Sequence, residues 1–207
     1  MLDLTDNSAA AEAARYYAQN ADALIGRYES VSFETVHADL IRHLPVEPGA
    51  ALDVGAGSGR DAAWLAKRGW SVVAVEPSGT LREGGRRLHP EASIEWIEDT
   101  LPGLRRTRAL DRKFDLVLLS AVWMHVPPEA EATALSVLAE LAAPNAILSI
   151  SVRMGGDETR RGFYSTDLPH LKRLAVEAGF ALVGEGLSRD RFARPDVAWT
   201  SIVFRRS

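Results

Sequence analysis

Cysteine is absent from this 207-residue sequence. That removes disulfide frameworks, thiolate metal sites and a cysteine nucleophile from consideration. Long apolar runs are missing too: none approaches the ~18 residues that cross a bilayer. The first 17 residues hold acidic groups and no apolar core, so no secretory signal is expected. The expected compartment is the cytoplasm. Net positive charge is also lacking. Lys and Arg number 24 against 28 Asp and Glu, a balance of −4. A general nucleic-acid binder driven by bulk charge is disfavoured on that balance.

What is present is an ordinary globular composition, 46% hydrophobic and 25% charged. The length suits one domain with a modest appendage. There is no internal repeat. Residues 8–26 and 33–44 read as helices, the second stopped by Pro45. After the Pro48-Gly49 turn the pattern changes. Strands are predicted at 51–54, 71–75, 94–97, 114–119, 147–152, 180–183 and 197–204. Helices are predicted at 61–67, 81–88, 129–142 and 168–178. Residues 101–113 stay open between a short helix and a loop. The nearly continuous apolar run at 114–119 marks a strand buried on both faces of a parallel sheet. Alternating strands and helices predict a doubly wound, Rossmann-like, mostly parallel sheet of seven strands. The last strand has no helix before it, so it should run antiparallel. Residues 1–46 form an N-terminal helical lid in this reading, and 47–207 the main domain.

The first strand ends in Asp53-Val54-Gly55-Ala56-Gly57-Ser58-Gly59-Arg60-Asp61. Alternate glycines let a backbone turn tightly and approach a ligand closely. The next helix aims its free N–H groups at the same place. The second strand ends in Glu76, where a carboxylate can accept bonds from both ribose hydroxyls. Together these predict a nucleoside cofactor. A dinucleotide fingerprint needs a small residue three places after its second glycine, and here that place holds Arg60.

The spacing of Gly55, Gly57 and Gly59, with Asp53 two residues earlier, resembles motif I of the class I S-adenosylmethionine-dependent methyltransferases. The resemblance continues through Glu76, through Asp99 after the third strand, through residues 114–126, and through Gly179-Phe180. It covers about residues 50–204. Pro144-Asn145-Ala146 stands where the family has Pro-Gly-Gly, a structural turn. The resemblance implies S-adenosylmethionine as cofactor, S-adenosylhomocysteine as product and in-line methyl transfer. It implies that Asp53 and the turn of Gly55, Ala56, Gly57 and Gly59 hold the methionine portion. Glu76 with Pro77 would hold the ribose. Asp99 with Thr100 and Leu101 would hold the adenine, and Ser120 would lie by the amino group. Arg60 either faces the cofactor carboxylate or is a solvated helix-start arginine. Tyr17 and Arg27 sit in the N-terminal helix that covers the cofactor in similar proteins, or else serve as packing and surface charge.

His125 is the candidate general base, in the loop after the fourth strand. Trp123 and Met124 wall the acceptor pocket or belong to the core. Arg153, with Arg160 and Arg161, recognises an acceptor carboxylate or phosphate, or lies in a solvated loop. Other features restrict the acceptor. No Asn or Asp followed by Pro-Pro-Tyr or Pro-Pro-Phe appears, which disfavours exocyclic base amines. The fourth strand ends in Ser120-Ala121 without an acidic cluster, so no metal is expected. Arg105, Arg106, Arg108, Arg112 and Lys113 read as a solvated face rather than an RNA track. His89 and His170 read as surface residues. A small-molecule methyltransferase, monomeric or a homodimer, is the expectation. Its rivals are an NAD-dependent oxidoreductase, a non-catalytic cofactor-binding regulatory module, and an RNA or protein methyltransferase.

Overall fold

The computed structural model describes residues 8–155, 162–192 and 194–207. Seven strands form one sheet: β1 (Ala50–Val54), β2 (Ser71–Val75), β3 (Ile94–Ile97), β4 (Phe114–Ser120), β5 (Ala142–Met154), β6 (Phe180–Arg189) and β7 (Ala198–Arg206). Their order is β3-β2-β1-β4-β5-β7-β6. Neighbours from β3 to β5 pair parallel, and β7 pairs antiparallel with both β5 and β6. This is the doubly wound, Rossmann-like architecture expected from the sequence, with the last strand reversed. The chain leaves β1 toward β2 on one side and returns to β4 on the other. That switch point is where such sheets bind ligands.

Side chains alternate between the two faces of the sheet. In β4, Val117 and Leu119 enter a core with Trp123, Leu135 and Phe204. Leu116 and Leu118 enter the opposite core with Ala62, Leu65, Phe33 and Leu40. Burial on both faces is the reason this strand carries no polar alternation.

The helices are α1 (Ser8–Gln19), α2 (Ala21–Glu29), α3 (Phe33–Val36), α4 (Ala38–Ile41), α5 (Arg60–Ala66), α6 (Gly79–Leu88), α7 (Arg105–Arg108), α8 (Glu131–Leu141) and α9 (Leu168–Glu177). Two N-terminal helices were expected and four short ones are found. Asn20 breaks the first, its side-chain amide donating to the Tyr16 carbonyl at 2.8 Å. His37 breaks the second because its backbone leaves helical angles and its ring is drawn into a buried bond with Asp61 at 2.8 Å. The open segment 101–113 contains a single helical turn, α7. There Arg108 and Arg112 pair with Glu140 and Glu95 at the surface.

The N-terminal segment divides in two. Phe33 and Leu40, from α3 and α4, are fully buried in the second core. Burying two such side chains contributes about 1.5–3 kcal/mol each. A Cβ at Gly186 in β6 would stand 1.8 Å from the Asp39 carboxylate, so α4 reaches this strand only because a glycine is there. Helices α1 and α2 lie instead against α6 and the glycine turn.

Candidate active site

The turn after β1 is held by the end of β2. Gly55 and Ala56 both donate N–H bonds to the Val75 carbonyl, at 2.7 and 2.9 Å. Gly55, Gly57 and Gly59 all take positive φ, which other residues adopt at a cost. Gly55 is also crowded: a Cβ there would lie 2.4 Å from a methyl of Val122, which follows β4. The turn therefore presses directly on the loop after the fourth strand.

Glu76 closes the turn from β2. Its Oε2 accepts the Gly57 N–H at 2.9 Å and its Oε1 accepts the Ser78 N–H at 2.8 Å. Burial pushes its carboxyl up from the ordinary range, against the pull of those N–H groups and Arg82. Each oxygen keeps a second lone pair for a further donor. Pro77 follows at the surface and its carbonyl accepts from Arg82.

Asp53 is a buried carboxylate at the end of β1. It is 1% exposed, and its Oδ2 has no hydrogen-bond partner. Burial, and then the neighbouring Asp61 carboxylate, push its carboxyl well above the ordinary range. Asp61 shows the opposite outcome in the same region. Burial opposes its charge, but His37 and Arg60 outweigh that and hold it well below the ordinary range. Arg60 grips Asp61 through Nε at 2.6 Å and Nη2 at 2.9 Å, and also donates to the Tyr28 carbonyl at 3.2 Å. Its guanidinium thus stabilises a neighbouring carboxylate and the backbone of α2. An ammonium beside Asp53 would restore that carboxylate to its charged form.

Helix α2 is pinned across the turn. Glu29 Oε1 accepts from the Ser58 hydroxyl at 2.6 Å and contacts His89 Nε2 at 3.2 Å. Burial raises the Glu29 carboxyl, but bonds from His89 and Ser58 prevail and lower it. The Tyr28 ring lies against Gly57, where an added Cβ would meet it at 3.3 Å. Arg27 does not reach the turn; its guanidinium stacks 4.2 Å from the Phe192 ring centroid. His89, read as a surface residue, is half-buried by these contacts. Glu29, Tyr28, His37 and Ser58 carried no sequence signal that would have singled them out.

On the other flank Asp99 organises its own loop. Its Oδ1 accepts the Thr100 N–H at 3.0 Å, and its Oδ2 accepts the Thr107 N–H and hydroxyl at 2.8 and 2.9 Å. Leu101 packs on the main core behind that loop. Ser120 ends β4 opposite Ser151, whose hydroxyl accepts the Ala121 N–H at 2.9 Å.

Beyond β4 the candidates separate. Trp123 is 0% exposed and its indole N–H donates to Glu131 at 3.0 Å. Of its two readings, the core one describes this position, because the ring packs under the sheet rather than lining an open pocket. Met124 is buried as well, and its carbonyl accepts the Tyr164 N–H at 2.8 Å. His125 is half-buried, and its Nε2 lies 3.0 Å from the Tyr17 hydroxyl of α1. The Phe163 ring meets it edge-on, centroids 4.8 Å apart, and Arg153 lies 5.6 Å from the Phe163 centroid. Arg160 and Arg161 fall outside the described residues.

Among the described residues, no group of three metal-ligating side chains comes together, and no helix is long and apolar enough to cross a membrane. A cavity of about 390 Å³ opens elsewhere, at the amino ends of β4 and β5, bordered by Arg42, His43, Asp115 and Arg205. That is the edge of the sheet opposite the glycine turn.

Residues 51–145 match the family model described as a methyltransferase domain. No curated protein matches the chain. Among solved structures, 1,6-didemethyltoxoflavin-N1-methyltransferase of Burkholderia thailandensis, with 1,6-didemethyltoxoflavin and S-adenosylhomocysteine bound, is 21% identical, with a TM-score of 0.71 over 100% of this chain and 92% of that one. Magnesium protoporphyrin IX methyltransferase of Synechocystis, with its S-adenosylmethionine bound, is 20% identical, with a TM-score of 0.61 over 100% and 87%. A TehB-like methyltransferase of Corynebacterium glutamicum is 17% identical, with a TM-score of 0.63 over 94% and 98%. At these identities the likeness is one of fold.

Proposed function

We propose, for a chain whose residues 51–145 match a methyltransferase-domain model, S-adenosylmethionine-dependent methyl transfer to a small-molecule acceptor. The observation that carries this reading is the pair of carboxylates at the switch point. Glu76 holds the Gly57 N–H of the glycine turn through one oxygen and the Ser78 N–H through the other, and Asp53 holds a buried oxygen without a partner. A nucleoside ribose suits the first, and an amino-acid ammonium suits the second. Asp99 and Thr100 would border the adenine, and Ser120 would lie near the amino group. Arg60 contributes by holding Asp61 and the lid. Arg27 serves the lid from its outer side. The acceptors of the structural relatives differ from one another, and a soluble small molecule is the class proposed for this chain. Nucleic acid is not the proposed partner; a monomer or homodimer in the cytoplasm is.

When bound, the cofactor supplies a sulfonium methyl, which an acceptor lone pair takes while the carbon–sulfur pair stays on sulfur. The chain's own task is alignment and exclusion of water. His125 stands beside the end of β4, where it can take the proton of an acceptor O–H or N–H. The Tyr17 hydroxyl at Nε2 keeps that ring oriented until an acceptor replaces it.

The decisive experiment is calorimetric titration of the protein with S-adenosylmethionine, S-adenosylhomocysteine and NADH. Micromolar binding of both sulfur ligands and none of NADH is expected. NADH binding alone would establish the oxidoreductase instead. Cofactor binding without turnover on any acceptor would leave the regulatory module.

Two variants test the parts. His125→Ala should lower kcat about 100-fold, as removal of a general base does. It should leave S-adenosylhomocysteine affinity within about twofold, since the groups that position the cofactor remain in place. An equal loss of affinity would mean that His125 serves binding. Deleting residues 1–30 removes Tyr17, Tyr28 and Glu29 but keeps Phe33 and Leu40. The shortened protein should fold and bind S-adenosylhomocysteine at least about tenfold more weakly, the equivalent of one lost charge-assisted bond. Unchanged affinity would remove the lid from the reading.

A further inference from the structure

Four aromatic side chains meet where the acceptor would enter. Tyr16 and Tyr17 pack edge-on at 5.7 Å between centroids, Tyr17 and His125 at 5.5 Å, and His125 and Phe163 at 4.8 Å. Their interplanar angles are 89°, 67° and 80°. All four are half-buried. Among the described residues, the cation that adjoins them is Arg153, near the end of β5, with its guanidinium 5.6 Å from the Phe163 centroid. These residues come from three separate parts of the chain, the lid helix, the loop after β4 and the loop after β5. The cofactor side of the cleft, by contrast, holds the carboxylates of Asp53, Asp61 and Glu76.

Aromatic rings set edge to face offer neighbouring rings a mixture of π faces and positive edges. A planar ring slides among them with little loss of conformational freedom, and a flexible aliphatic chain does not. A guanidinium above such a wall adds one fixed positive charge, suited to a carboxylate. We infer that the acceptor is a planar aromatic or heteroaromatic acid, seated among Tyr16, Tyr17, His125 and Phe163 with its anionic group toward Arg153. This inference rests on the methyltransferase reading above. It assigns the acceptor chemistry, and it names Phe163 and Arg153 as the residues that choose it.

The test uses the full-length protein saturated with S-adenosylhomocysteine and measures acceptor binding by calorimetry. The probes are 2-aminobenzoate and 4-hydroxybenzoate as ring acids, aniline and phenol as uncharged rings, and sarcosine and phosphoethanolamine as charged molecules without a ring. The ring acids should bind at least about tenfold more tightly than either other set, the equivalent of one cation–π or charge-assisted contact. Arg153→Gln should remove the preference for acids over uncharged rings. Phe163→Leu should remove the preference for rings over aliphatic ions. Methyl transfer to the ring acids should follow the same order. Binding of sarcosine or phosphoethanolamine as tightly as the ring acids would overturn the aromatic assignment. Equal binding of phenol would overturn the anionic one. Silence of both ring acids in a protein that binds S-adenosylhomocysteine would overturn the inference and leave the cofactor reading intact. Failure to bind S-adenosylhomocysteine would remove both.

Discussion

Glu76→Ala weakens S-adenosylhomocysteine binding by about 100-fold to 10,000-fold, the cost of two lost charge-assisted bonds at about 1.5–3 kcal/mol each. The expectation comes from the doubled duty of this carboxylate. In the unliganded protein it already accepts N–H bonds from Gly57 and Ser78. A ribose diol would take the remaining lone pairs, so the same group shapes the turn and reads the ligand. Alanine strands both N–H groups in a buried region and gives the ribose no acceptor. Glu76→Gln is the instructive companion. Its amide offers one oxygen and one NH₂, and the NH₂ must face either the Gly57 or the Ser78 N–H, donor against donor. Glutamine should therefore recover little of the loss. The measurement is titration of each variant, with a thermal melt to establish that the sheet is intact. Wild-type affinity in the alanine variant would place the ribose elsewhere, and the nucleoside reading of the turn would fall.

The parts of this site that were legible in the sequence are those encoded locally. Gly55 to Gly59 announce a turn because only glycine adopts those angles without strain. Residues 114–119 announce a central strand because burial on both faces demands an unbroken apolar run. Glu76 and Asp99 follow from where strands end. What stayed hidden depends on contacts between distant segments made by unremarkable residue types. Glu29 is one helical glutamate among many until Ser58 and His89 are found against it. His37 carries no pattern, and its partner Asp61 lies 24 residues on. Arg60 was legible as a helix-start cation, and the sequence pointed it toward a ligand carboxylate as readily as toward solvent. In the folded chain its neighbour Asp61 holds it, a contact that spacing alone cannot disclose. Trp123 illustrates the same limit. An apolar residue after β4 has equal claim to pocket or core until the Glu131 bond fixes its ring. Strand β6 extends to Arg189, beyond the apolar stretch that announced it, because Gly184 and Gly186 interrupt the pattern where α4 presses close.

Asp53→Asn makes the unliganded protein more stable at pH 7 and weakens its hold on the cofactor. Asp53 has a folded-state affinity for protons above its unfolded one, raised by burial and by Asp61. Below about pH 4 the carboxyl is protonated in both states and costs nothing. As pH rises through and beyond that value, the unfolded chain releases the proton more readily, and the folded state loses stability up to the raised folded value. Asparagine does not titrate, so the variant escapes that loss. Its amide oxygen can keep the bond from the Ala62 N–H, and an unpaired amide is cheaper to bury than an unpaired carboxylate. The gain at pH 7 should be about 1–3 kcal/mol, a rise in Tm of several degrees for a chain of this size. It should shrink as pH falls toward 4, where the two proteins converge. The ligand response runs the other way. Wild-type protein gains an ammonium against its unpaired oxygen, so S-adenosylhomocysteine should raise its Tm strongly. The variant should lose about 100-fold in affinity, the usual result of truncating one side of a buried ion pair, and most of that thermal shift. Thermal melts at pH 4 and pH 7, with and without S-adenosylhomocysteine, separate the two effects. A variant less stable than wild type at pH 7 would mean that Asp53 is satisfied by the protein itself. A retained thermal shift would mean that the ammonium binds elsewhere. The expected opposition of stability and binding would instead identify Asp53 as a charge buried at the protein's expense and neutralised by its ligand.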